Sequence, residues 1–238
     1  MSEQRNLILT VVLTAAILLG WQFLWPSHKT VEPAVQAGSS QLNKDAPSPS
    51  GSAPSPTLPP ENRLISLLSA PRVKVQTKDM KGSIVLTGAR IDDVSLTRYH
   101  ETPDPKSADI TLLSPAAGVG AYYAEFGWVG GNDSKAVLPG PDTQWTADSE
   151  TLTPDHPVTL TWDNGQGLVF TRKFAVDDGY MFTVTDKVEN KGGAAITLFP
   201  YGLLSRWGTP ALQNIYILHE GPLGVLDGTL KELKYKKL

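Results

Sequence analysis

Residues 157–190, PVTLTWDNGQGLVFTRKFAVDDGYMFTVTDKVEN, read as three strands joined by two turns. Asp163-Asn164-Gly165 marks the first turn and Asp177-Asp178-Gly179 the second, both rich in residues that tolerate positive φ. The apolar positions of all three strands are even-numbered: Val158, Leu160, Trp162, Leu168, Phe170, Phe174, Tyr180, Phe182, Val184 and Val188. The odd positions carry Thr159, Thr161, Thr171, Lys173, Thr183, Thr185, Lys187 and Glu189. This period of two gives an antiparallel meander with one dry and one wet face. A three-residue second turn sets Phe174 opposite Phe182 and Leu168 opposite Val188, and a one-residue slip would expose the aromatic set. Two charges, Arg172 and Asp186, fall on the apolar face. In this register Phe170 opposes Asp186 and Arg172 is its diagonal neighbour. The two read as a cross-strand ion pair at the sheet margin, in preference to a charged pair in a ligand cleft.

Working outward, the strand pattern extends back to residue 63. Val73 and Val75 alternate with Arg72, Lys74 and Gln76, and Gly82 to Thr87 is a short apolar run. Ile91, Val94, Leu96 and Tyr99 mark a strand interrupted by Asp92-Asp93. In AYYAEFGW, Tyr122, Phe126 and Trp128 share one face while Tyr123 and Glu125 take the other. Beyond a possible short turn at 61–68, no helical stripe follows residue 63. Residues 63–238 are expected to form a mainly β domain, and a two-layer sandwich is the natural way to bury such faces.

Ahead of the domain, Leu7 to Trp25 (LILTVVLTAAILLGWQFLW) run without a charge. As a helix the stretch spans roughly 28 Å, the hydrocarbon thickness of a bilayer. Trp21 and Trp25 suit an interfacial belt, and Pro26 stops the helix. The apolar core is long for a cleaved signal and ends in bulky residues, while the nearest cleavage-like site, Val35-Gln36-Ala37, lies well beyond it. An uncleaved signal anchor is therefore expected, with residues 1–6 in the cytoplasm and the domain outside. Residues 26–62, rich in Pro, Ser, Ala and Gly, read as a mobile tether. Pro47, Pro49, Pro54 and Pro56 have PxxP-like spacing, for which plain spacer is the preferred reading.

The net charge of −3 and pI near 5.8 leave no basic stripe for nucleic acid. With no cysteine, thiol nucleophiles, Cys-ligated zinc and disulfides are excluded together. His28, His100, His156 and His219 lack HxH or HxxxH spacing, which argues against a metal site. His219-Glu220 could hold an acid/base pair for sugar chemistry, but neighbours on a strand point to opposite faces, so loop chemistry is the safer reading. Gly118-Val119-Gly120 and Gly130-Gly131 are turn glycines, and no GxSxG or P-loop occurs. No residue is singled out as catalytic, cofactor-binding or metal-ligating, and no cofactor is expected.

The order of these features resembles the N-terminal part of the YidC-type membrane protein insertases of Gram-negative bacteria. The matching segments are MSEQRNLILTVVLTAAILLGWQFLWP, the Pro-rich tether, VKVQT, GARIDDVSLTRYHET, ITLLSP, AYYAEFGWVG, LTWDNGQGLVFTRKFAVDDGYMFTV, VEN, YGLLSR and YILHEGPLGVLDGTLKELKYKKL. No single motif is sharp, but together they cover nearly the whole chain. The resemblance implies an antiparallel β-supersandwich of mutarotase-like fold in the periplasm, anchored in the bacterial inner membrane. It implies as partners nascent inner-membrane proteins, the lipid bilayer and the Sec translocon, including SecD–SecF. In that family a hydrophilic groove with a conserved arginine, built from later transmembrane helices, receives substrates without making or breaking a bond. No apolar run long enough to span a bilayer follows residue 25, so the groove is absent and the chain is expected to be an N-terminal fragment or truncated frame. Two other readings stand beside this one: an anchored periplasmic sugar-binding or mutarotase-like domain, and an anchored scaffold for the translocon.

Overall fold

In the computed structural model the described residues are 63–116, 120–131, 134–208 and 219–237. The expected anchor, the tether and the Gly118-Val119 pair lie outside them. The stretch 157–190 forms three antiparallel strands, β8 (Val158–Asp163), β9 (Leu168–Val176) and β10 (Phe182–Asn190). Burial alternates along β9, with Leu168, Phe170, Arg172, Phe174 and Val176 inside. At the first turn Asp163 and Asn164 accept backbone N–H bonds from Gly165, Gln166 and Leu168 at 2.8–3.0 Å.

The second turn differs from the expected one. Asp177 Oδ1 accepts from the N–H groups of Gly179 and of Met181, both at 2.9 Å. These bonds draw Tyr180 and Met181 into the loop, so β10 begins at Phe182 and pairs it with Val176. The register is displaced by two residues: Val184 opposes Phe174, Val188 opposes Phe170, and Asp186 stands directly opposite Arg172. A shift of two keeps every side chain that remains in the strands on its expected face. Tyr180 leaves the apolar face and is 42% exposed.

Before this meander come α1 (Arg63–Leu68), β1 (Arg72–Gln76), β2 (Met80–Val85), β3 (Arg90–His100), β4 (Asp109–Leu113), β5 (Tyr122–Gly130), β6 (Thr146–Ala147) and β7 (Thr151–Leu152). After it come β11 (Leu198–Arg206), β12 (Leu223–Leu226) and β13 (Thr229–Glu232), then a 3-10 turn at Tyr235–Lys237. One sheet runs β11-β5-β3-β2-β1-β7, with β4 also paired to β3. The second runs β10-β9-β8-β6, and β12 and β13 pair as a separate hairpin. Among the described residues all strand pairings are antiparallel apart from β1 with β7. The chain is thus mainly β with antiparallel-rich sheets.

The two larger sheets share one hydrophobic core. Val73, Val75, Met80, Ile84, Ile91, Val94 and Trp128 enter it from the first sheet, and Val158, Leu160, Phe170 and Phe174 from the second. Trp128 meets Phe170 edge-on across the layers, ring centroids 5.0 Å apart. The even residues of β5 pack against this core, so Tyr123 and Glu125 lie on the opposite face of their sheet, as their spacing requires.

Asp92-Asp93 does not interrupt β3. The pairing jumps from Ser83↔Asp93 to Ile84↔Ile91, so Asp92 is the extra residue of a β-bulge within a continuous strand. Val94 and Ile91 can then both face the core although they are three positions apart. Gly82 permits this approach, because a methyl group there would stand 2.0 Å from the Asp93 carbonyl oxygen.

Candidate functional site

Arg172 is the most deeply placed charge of the described residues. Its even-numbered position on β9 directs it inward, and it is 0% exposed. Nε donates to Asp186 Oδ1 at 2.7 Å and Nη2 to Oδ2 at 3.1 Å, a bidentate pair across the strands. Nη1 approaches the Ala89 carbonyl oxygen at 3.5 Å. The guanidinium carbon stands 5.6, 5.1 and 5.4 Å from the ring centres of Phe126, Trp128 and Trp145. The expected pairing is therefore present: Asp186 sits on β10, the edge strand of its sheet, while Arg172 reaches from β9 into the middle of the two-sheet core. The two-residue difference in register accounts for the closer alignment. The site joins both sheets around one charge and leaves the guanidinium no room for a substrate.

A second polar array occupies the face of the seven-stranded sheet turned away from the core. Arg72 on β1 pairs with Asp92 and donates through Nε to Ser83 Oγ at 2.7 Å. Ser83 Oγ donates to Asp93 Oδ2 at 2.6 Å, and Arg63 on α1 pairs with the other oxygen of Asp93. From the start of the same strand β3, Arg90 Nε donates to Glu125 Oε2 on β5 at 2.6 Å, and the Tyr201 hydroxyl of β11 donates to Oε1 at 3.0 Å. The Tyr201 ring lies over Gly127 of the adjacent strand, where a methyl group would come within 2.6 Å of the phenol. Arg90 also stacks on the Tyr123 ring at 5.3 Å.

Burial sets the proton affinities in this array. Desolvation raises the Asp92 pKa above its ordinary value, outweighing the opposing pull of Arg72. Tyr201 is pushed up to about 12, first by burial and then by the Glu125 carboxylate that accepts its hydrogen bond. A phenol so held stays neutral and donating at physiological pH. Each carboxylate of the array already has an arginine partner, so the arrangement fixes strands and offers no poised general acid or base. These contacts join residues far apart in sequence, which strand periodicity does not reveal. The available signal was Asp92-Asp93 itself, two charges in succession inside an otherwise regular strand, the mark of a bulge.

His219 and Glu220 do not converge. The carboxylate nearest His219 is Glu232, whose Oε2 is 4.0 Å from Nδ1, while Nε2 stands 3.2 Å from the Gly221 carbonyl oxygen. His100 Nδ1 lies 3.4 Å from Asp109 Oδ1, and Lys81 pairs with the other oxygen at 2.5 Å, which lowers the Asp109 pKa. Among the described residues no three His, Asp or Glu side chains gather in metal-binding geometry. A cavity of about 630 Å³ lies between Leu204 and Arg206 of β11 and Pro222, Leu223 and Tyr235. Another of about 430 Å³ is bordered by Ser134, Asn164, Gln166 and Asn190. Neither holds either His–carboxylate pair, so the sugar-epimerase alternative finds no acid/base couple in them.

These features define a mainly β domain of two sheets sharing a core, with its buried charges held in structural pairs. Comparison with known proteins gives the family. The model of the YidC periplasmic domain matches residues 72–238, and the chain belongs to this family. It is 49% identical over 259 residues to the Membrane protein insertase YidC of Methylobacterium radiotolerans, covering 100% of this chain and 42% of that protein. Its counterpart in Methylobacterium nodulans is 49% identical, with 100% and 41% covered, and that of Cereibacter sphaeroides 44%, with 99% and 38% covered. The chain thus spans about two-fifths of the length of the curated relatives it matches.

Proposed function

We propose that this chain is the N-terminal portion of a membrane protein insertase, a chaperone that helps inner-membrane proteins insert and fold. The observation that carries the reading is a match along the whole chain, at nearly half identity, to proteins named as membrane protein insertases. In this reading residues 1–6 are cytoplasmic, 7–25 form the transmembrane anchor, 26–62 the tether and 63–238 the periplasmic domain. The two sheets with their shared core are the main part of a β-supersandwich of mutarotase-like architecture. The remainder of the full protein supplies the groove, and its work is guidance of substrates with no bond made or broken. Partners are nascent inner-membrane proteins, the bilayer and the Sec translocon with SecD–SecF.

A chimera tests this directly. The matching segment of the Methylobacterium radiotolerans insertase is replaced by this chain, and insertion of a reporter membrane protein is followed in cells depleted of their own insertase. The chimera should sustain insertion. A chimera that accumulates in the membrane yet inserts nothing would overturn the reading. Saturable heat on titrating the domain with monosaccharides would favour the sugar-binding alternative instead.

A further inference from the structure

Helix α1 presents three of its four leucines and isoleucines outward, with Leu67 half-buried. Its buried residue is Ser66, whereas Leu64, Ile65 and Leu68 are 63%, 59% and 87% exposed. At about 100° per residue, positions i, i+1 and i+4 fall within one arc, so the three form a single stripe. None of them is charged. The pair between Arg63 and Asp93 on β3 fixes the helix on its sheet in this orientation. A stripe of large apolar residues facing water, on an element held by a buried charge, marks an interaction surface.

We propose that this stripe rests on the bilayer surface and forms the foot on which the domain stands. The proposal depends on reading Leu7–Trp25 as the membrane anchor. The argument for lipid as the occupant is the covalent route. Residues 26–62 run from the end of the apolar segment to Arg63, the first residue of α1. A chain of this length spans at most roughly 130 Å, so α1 is held within that distance of the bilayer and works at a raised local concentration of lipid. Under those conditions a contact too weak for free association is populated. A short uncharged apolar helix face inserts shallowly at the headgroup boundary, as interfacial helices do.

The chain has no cysteine, so single-cysteine probes need no other change. An environment-sensitive fluorophore is placed at Leu68→Cys in the full chain, reconstituted in phosphatidylethanolamine–phosphatidylglycerol vesicles that contain a brominated-lipid quencher. Gly20→Cys reports the anchor and Thr185→Cys, on the exposed face of β10, reports solvent. Leu68→Cys and Gly20→Cys should both shift to the blue and be quenched, and Thr185→Cys should do neither. A probe at Ile65→Cys should repeat the Leu68 result and lose most of its quenching when Leu68→Ser is added. Quenching at Gly20→Cys without any at Leu68→Cys would overturn this inference and leave the anchor standing. No quenching at Gly20→Cys would overturn both. A blue shift at Leu68→Cys that grows with protein density and ignores the bromolipid would assign the stripe to a second copy, and would also overturn it.

Discussion

Arg172 and Asp186 face each other across β9 and β10, a guanidinium from the centre of the core meeting a carboxylate nearer the edge. Their geometry is bidentate, and three aromatic rings surround the cation. Removing either partner leaves the other charge desolvated and unpaired, which costs about 3–5 kcal/mol. Arg172→Ala and Asp186→Ala should each lower stability by about that amount, Arg172→Ala more because it also empties the aromatic cage. The double variant should lose much less than the sum, as urea midpoints of the four proteins would show. Strict additivity would mean the two side chains do not act as a pair.

Tyr201 offers a test at high pH. Its folded-state pKa of about 12 lies above the ordinary 10, so the folded protein holds the phenolic proton more tightly than the unfolded chain. The stability this contributes is complete below pH 10 and is lost as pH rises towards 12. Tyr201→Phe should lower stability near neutrality by about 1.5 kcal/mol, through loss of a hydrogen bond to a charged acceptor. The difference between the two proteins should then shrink from pH 10 upward. An unchanged gap in urea midpoints over that range would contradict the assignment.

Asp92 works in the same sense at the acid end. Burial raises its folded-state pKa above 3.8, so folding favours its protonated form. That contribution is present in full below the unfolded pKa and lost as pH rises through the folded one. Wild type should therefore gain stability relative to Asp92→Asn as pH falls from 7 towards 4. Urea melts of both proteins across that range check the sign. A relative loss for wild type on acidification would show that the Arg72 pair, and not burial, governs the site.

Gly82 tests the bulge. A methyl group there meets the Asp93 carbonyl oxygen at 2.0 Å, and backbone on a paired strand has little freedom to retreat. Gly82→Ala should cost about 1–3 kcal/mol or more, the range of overpacking in a tight interior. Gly140→Ala, where nothing stands within 4 Å, serves as the control and should stay near wild type in a thermal melt.

How far the sequence carried these conclusions follows from the range of each interaction. The inward and outward faces of β8, β9 and β10 depend on a local period of two, and every even position that stayed in a strand kept its face, while Tyr180 passed into the loop. The register of the last hairpin depends on which N–H groups Asp177 captures, a choice between a three-residue and a five-residue loop that composition leaves open. Arg172 was legible as a charge on an apolar face. Its position at the centre of the core was not, because that depends on Phe126, Trp128 and Trp145 arriving from other strands. The outer array of Arg63, Arg72, Arg90, Asp92, Asp93, Glu125 and Tyr201 was invisible for the same reason. Family membership was legible because the order of many weak motifs is more specific than any one of them.

The most direct measurement of the central claim is topological. Alkaline phosphatase, active only outside the cytoplasm, and a fluorescent protein, bright only inside it, are each fused after Leu238 in a Gram-negative host. An insertase portion with its β domain held outside the inner membrane by Leu7–Trp25 predicts an active phosphatase and a dark fluorescent protein, both in the membrane fraction. A bright fluorescent fusion with an inactive phosphatase would contradict it.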